Sequence, residues 1–203
     1  MEEVAYNSKS NHNDRITEMT NIVSRGDVEK TWGIKTNEKD RYFFSKNYQK
    51  DIGNYIANDY YIIYLSGISI FDQIKTMNPR GYKFTFGSLN EKTIQDFGEP
   101  GYYLIKIRRR NLSFISDHKK LMPCPDGWRR ANLREACEIM FNILFVDQKK
   151  IYQRDWHICP DRESKNRVMR IRFSILNPQE IIMENISTNK MSMNLNSITI
   201  KRL

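Results

Sequence analysis

In RVMRIRFSI, residues 167–175, apolar and polar side chains alternate from Met169 onward. Met169, Ile171, Phe173 and Ile175 fall on one side of an extended chain, and Arg170, Arg172 and Ser174 on the other, because successive side chains of a strand point to opposite faces. A second stretch, GYYLIKIRRR over 101–110, repeats the arrangement. Tyr103, Ile105 and Ile107 share one side, and Tyr102, Lys106 and Arg108 share the other. Helical spacing would scatter these residues around a cylinder. A sheet with one dry face and one basic face accommodates both stretches.

More strands are written in the same way. YYIIYLSG (60–67) is β-branched and aromatic and stops at Gly67. YKFTF (82–86), IYQRDWHI (151–158), EIIMENIS (180–187) and SITIKRL (197–203) read as further strands. The connection CPDRESKN makes the pair around it a hairpin with a long loop. The clearest helix begins at Asn132, where Asn132 and Glu135 form an N-x-x-E capping box. Leu133, Ala136, Cys137, Met140 and Leu144 give it one apolar stripe. Lys149 and Lys150 follow its end, where positive charge suits the helix dipole.

Ile70, Ile74 and Met77 favour a helix within 68–77, and NPRG (78–81) is a turn. SKNYQKDIGNYIAND (45–59) and NEKTIQDFG (90–98) read as helices capped by Ser45 and Asn90. Strands and helices mix without a regular βαβ alternation. The expected fold class is therefore α+β, a mostly antiparallel sheet with a few packed helices. Residues 1–40 are polar, with Ile16, Ile22, Val23 and Trp32 isolated among them. They read as a flexible N-terminal arm with one short helix near 14–24. Residues 41–203 read as a single α+β domain with a basic C-terminal half.

Charge divides unevenly along the chain. Residues 1–100 hold 13 Lys+Arg against 14 Asp+Glu, while residues 101–203 hold 20 against 10. The net charge of +9 therefore resides in the second half, which points to an anionic partner for it. The aromatic content of 12% argues against wholesale disorder. No apolar run approaches the ~20 residues that span a bilayer. The three cysteines, Cys124, Cys137 and Cys159, are too few and too odd for a disulfide framework. They read as thiols in a reducing, intracellular compartment.

Several catalytic motifs are suggested by letters and weakened by spacing. His157 and Cys159 would share a side of one strand, with His118 and Cys124 upstream, but zinc needs a second close pair. The deaminase signature is missing, since no His is followed two residues later by Glu. Asp155, Asp161, Glu163 and Lys165 resemble a metal-dependent nuclease in letters. Glu163 and Lys165 precede the strand instead of lying within it, so the acids have no second strand on which to converge. Cys124, flanked by Pro123 and Pro125, lacks a placed base. No glycine-rich phosphate loop occurs. No cofactor is implied, and catalysis is the lesser expectation.

Basic rows beside aromatics suit nucleic acid, because phosphates need charge and bases need stacking surfaces. The residues that would form the stripe are Lys106, Arg108, Arg109, Arg110, Arg129, Arg130, Arg154, Arg170 and Arg172, with Tyr102 and Trp128 as stacking aromatics. Lys149 and Lys150 extend it. The leading expectation is a non-enzymatic protein whose basic sheet face contacts RNA or DNA backbone. One alternative is a matrix-like or virion assembly protein on an anionic membrane or nucleoprotein, with self-association. The other is the nuclease. An Asn-, Ile-, Lys- and Tyr-rich composition fits an AT-rich genome, as in small viral and mobile-element proteins and in many bacterial ones. Signatures of the RRM, zinc-finger and helix-turn-helix families are not matched.

Overall fold

The computed structural model describes residues 21–36, 60–87, 97–108, 124, 126–149, 151, 156–159, 167–187 and 195–203. The described elements run β1 (Ile22–Val23), α1 (Arg25–Trp32), β2 (Tyr60–Leu65), α2 (Ile70–Met77), a 3-10 turn (Asn78–Arg80), β3 (Lys83–Phe86), β4 (Gly101–Arg108), β5 (Arg129–Arg130), α3 (Leu133–Asp147), β6 (Trp156–Ile158), β7 (Arg167–Phe173), β8 (Glu180–Ser187) and β9 (Leu195–Arg202). The fold is α+β, as the mixed pattern implies.

The strands join in the order β1-β2-β4-β9-β6-β7-β8-β3, with β5 also on β9. Most neighbours are antiparallel; β1 with β2, β6 with β9, and β3 with β8 are parallel. β9 is the seam between two halves. One of its edges carries β4 along Ser197–Arg202. The other carries β6 at Leu195 and Asn196 and β5 at Thr199 and Ile200.

His157 reinforces that seam. Its Nδ1 accepts the Ile198 amide at 3.0 Å, and its Nε2 lies 3.4 Å from the Ala131 carbonyl. The fully buried ring therefore works as the neutral tautomer with its proton on Nε2, joining β6 to both β9 and the start of α3. Cys159 is also buried, in the main apolar core. Among the described residues no cluster of His, Cys, Asp and Glu could hold a metal ion.

α3 differs from the sequence expectation in one instructive way. The capping box forms as written: the Asn132 side chain accepts the Glu135 amide at 2.8 Å, and Glu135 accepts the Asn132 amide at 3.0 Å. The apolar stripe is buried. So, however, is every residue from Leu133 to Leu144, including Arg134, Glu135, Glu138 and Asn142. The helix is central rather than amphipathic. Phe141 on it meets Trp32 of α1, Tyr82, Phe84 of β3 and Phe173 of β7, with ring centroids 5.2–6.0 Å apart.

α1 lies within the stretch read as a flexible arm, and 25–32 is not where the short helix was expected. Ser24 caps it, sharing reciprocal bonds with Asp27, and Gly33 ends it at φ 66°. Val28 and Trp32 are core residues, and the Trp32 indole donates to Asn142 Oδ1 at 2.8 Å. Polar composition hid this helix because only two of its residues are large and apolar. Residues 1–20 and the predicted helix at 45–59 lie outside the described part, as does most of 90–98. β7 ends at Phe173, so Ile175 is exposed rather than part of the dry row.

Replacing His157 with Ala should leave the Ile198 amide and the Ala131 carbonyl buried and unmatched, lowering unfolding free energy in urea by about 2–4 kcal/mol. His157→Asn retains an acceptor and should recover part of the loss. A second expectation concerns Glu29 on α1. It accepts from the Thr36 hydroxyl and amide and from Arg25, which hold its carboxyl down at about 2. Because the folded value is depressed, the stabilisation is full above the ordinary 4.5 and disappears as pH falls toward 2. The difference in Tm between the protein and Glu29→Gln should be constant above about pH 5.5 and vanish near pH 2.

Candidate nucleic-acid interface

The two basic strands do belong to one sheet, but β9 and β6 stand between β4 and β7. Registered residues on neighbouring strands point to the same side. Tyr60 pairs with Lys106, Lys106 with Thr199, and Thr199 with Arg130. These four form one row across sheet strands β2, β4, β9 and β5. Counting by twos along β9 and through its pairing with β6 places Trp156, Arg170 and Arg172 on the same side. The opposite side carries Ile171, Phe173, Ile198 and Ile200 into the core around α3.

Near the seam this outer face combines cations with aromatic rings. The Lys106 ammonium donates to the Tyr60 hydroxyl at 3.2 Å and sits 4.5 Å above the Tyr60 ring centroid. The Trp128 ring lies 5.7 Å from that of Tyr60. All three are half-buried. Arg130 is half-buried too, and burial pulls its proton affinity down. Lys201, two residues along β9 from Thr199, is exposed above the Gly127 turn. Neither Lys106 nor Lys201 has a carboxylate partner among the described residues.

Other predicted contact residues are otherwise engaged. Tyr102 is buried: its hydroxyl accepts the Arg25 amide at 3.2 Å, and its ring meets Tyr64 edge-on at 5.1 Å. It is no stacking platform. β4 is dry on both faces over Tyr102–Ile105, because inner and outer sides are both covered there. Arg129 registers with Ile200 and therefore faces the α3 side, where Glu135 takes both its terminal nitrogens at 2.6 Å. That pairing raises its proton affinity.

Arg170 is buried, clamped by Glu184 of β8, and its guanidinium lies 4.0 Å from the Trp156 ring centroid. Arg172 sits 4.2 Å from the same ring, with its Nε buried and unmatched. Burial and then the neighbouring Arg170 lower its proton affinity. The Arg108 backbone pairs with Ser197, and its side chain lies outside the described part. Arg109, Arg110, Lys150 and Arg154 also lie outside it, as do His118, Asp155, Asp161, Glu163 and Lys165.

A second polar cluster was not anticipated. The fully buried Glu138 accepts the Ser66 hydroxyl at 2.6 Å and the Arg134 guanidinium at 3.3 Å. Burial raises its pKa, while Arg134 and the Ser66 bonds pull it back. A Cβ on Gly98 would stand 1.8 Å from Arg134 Nη2, and one on Gly67 would stand 2.3 Å from the Gly98 carbonyl oxygen. Both glycines are thus part of how Arg134 reaches its carboxylates. The i,i+4 Arg134–Glu138 spacing was the available sequence signal. Tyr60 and Lys201 were legible as the outward positions of their strands.

No protein-family model matches the chain, and neither a curated protein nor a solved structure shows significant similarity to it. No helix among the described residues is long and apolar enough to cross a membrane. Gly98→Ala should displace the Arg134 guanidinium and leave Glu138 uncompensated. Chemical denaturation should register a loss of about 3–5 kcal/mol, the scale of a broken buried ion pair.

Proposed function

We propose that the protein binds nucleic acid, RNA or DNA, through its backbone phosphates on the outer face of the sheet, without catalysis and with little sequence specificity. The observation that carries this reading is the cross-strand row Tyr60–Lys106–Thr199–Arg130, with Trp128 against Tyr60 and Lys201 alongside. Cations within reach of half-buried rings suit single strands, where phosphates take the charge and unpaired bases take the aromatic surface. The cations of this row, Lys106 and Arg130, come from the basic half of the sequence, which supports the same partner.

Arg129 and Arg170 are excluded from the interface by their carboxylates, and Tyr102 by burial. Arg172, stacked on Trp156 and carrying an unmatched Nε, is the outlying contact. The interface is thus narrower than the sequence stripe and centred on the seam strand.

The test is affinity for a labelled single-stranded oligonucleotide measured across salt. For single strands, the double variant Lys106→Ala with Arg130→Ala should flatten the slope of log K against log salt by about 1.4, two phosphate contacts' worth. Trp128→Ala should cost about 1–3 kcal/mol of affinity, as for loss of a stacked base. Arg129→Ala should leave the slope unchanged. A double variant with the parent slope would reject the reading.

A further inference from the structure

Among the described residues β3 (Lys83–Phe86) is the last strand of the sheet, paired on one side only, with β8. Lys83 donates its amide to the Gln179 carbonyl at 2.8 Å, and Gly87 donates to the Met183 carbonyl at 2.8 Å. In a parallel ladder alternate residues turn their amides and carbonyls to opposite edges. The N–H and C=O groups of Phe84 and Phe86 therefore point away from the sheet. Natural edges of this kind are usually blunted by bulges, prolines or covering segments. Among the described residues no segment covers this one, which is short and begins with Lys83: Lys83, Thr85 and Phe86 are exposed.

A groove of about 550 Å³ runs beside the edge, lined by Ile74 and Asn78 at the end of α2 together with Tyr82, Phe84 and Phe86. The Phe84 and Phe86 rings stack at 6.3 Å, and Phe86 and Phe145 are both more than a third exposed. The rim is basic. Lys83 is exposed, and Arg80 lies 5.3 Å from the Phe145 ring centroid with no carboxylate bound to it among the described residues. Glu180 is already engaged by the Thr85 hydroxyl.

We propose that this edge is a docking site for an extended acidic peptide segment of a partner protein, added as a further strand. Alternating donors and acceptors spaced along an edge match a peptide backbone. A phosphate chain offers acceptors only and leaves the outward carbonyls of Phe84 and Phe86 unmatched. The apolar groove takes every second side chain of the incoming strand, and Arg80 and Lys83 take its carboxylates. A second copy of this chain fits less well, since it brings the same +9 charge to a basic rim. The proposal does not depend on nucleic-acid binding, because β3 stands at the far end of the sheet from the Lys106 row.

The probe is an acetylated, amidated heptapeptide alternating valine and glutamate, added to the full-length protein while amide exchange is followed residue by residue. Protection should rise at Phe84 and Phe86, the two outward amides, with no change at Lys106 or Arg130. The charge reversal Arg80→Glu with Lys83→Glu, on exposed side chains, should weaken that peptide by about tenfold or more and favour its valine–lysine counterpart. Absence of peptide-dependent protection at Phe84 and Phe86 overturns the proposal. So does equal binding of the glutamate and lysine peptides. Protection that grows with protein concentration alone would instead assign the edge to a second copy.

Discussion

A helix enclosed on every side can keep charged residues only if each finds its partner inside, and α3 meets that demand with Arg134. Its guanidinium joins Glu135 and Glu138, two buried carboxylates. Glu138 in turn holds the end of β2 through Ser66. Glu135 holds both the helix start, through Asn132, and β5, through Arg129. The position of the central helix against the sheet, and through β5 the position of Arg130 and Trp128, follows from this one buried cation. Breaking such a network costs more than forming it gains, since a lone buried carboxylate has nothing to replace its partner.

That same chemistry explains why formal charge overstates how many cations the sheet leaves unneutralised. The basic half of the chain contains Arg129, Arg134 and Arg170, and each is matched to a glutamate. Around β9 the pattern differs: Lys106 stands over the Tyr60 ring, and neither it nor Lys201 meets a carboxylate among the described residues. Cation–ring contact orders a side chain without neutralising it. A lysine held over tyrosine therefore remains available to an anion in a way that an arginine clamped by glutamate is not.

Much of the architecture was legible because period-two and period-3.6 patterns are local. RVMRIRF, YYIIYL and the Asn132 capping box each specify their element from within a few residues. Burial on the second face is not local. Tyr102 and Arg170 occupy outward positions of their strands, as read, but what covers an outward position is decided by distant chain. α1 escaped notice because Val28 and Trp32 are too few to make a stripe, although Ser24 and Gly33 mark its ends. His157 and Cys159 share a short stretch in sequence; in the fold one is a hydrogen-bonding staple and the other core filling.

The seam has a consequence for how the chain assembles. β9 pairs with β4, nearly a hundred residues earlier, and with β5 and β6, and it is synthesised after all of them. Until it docks, each half of the sheet carries an open edge at the place where the other half belongs. Such long-range pairing is slow, since chain entropy is lost before the contacts form. The interval before β9 arrives is when this chain is most exposed to pairing with the wrong neighbour.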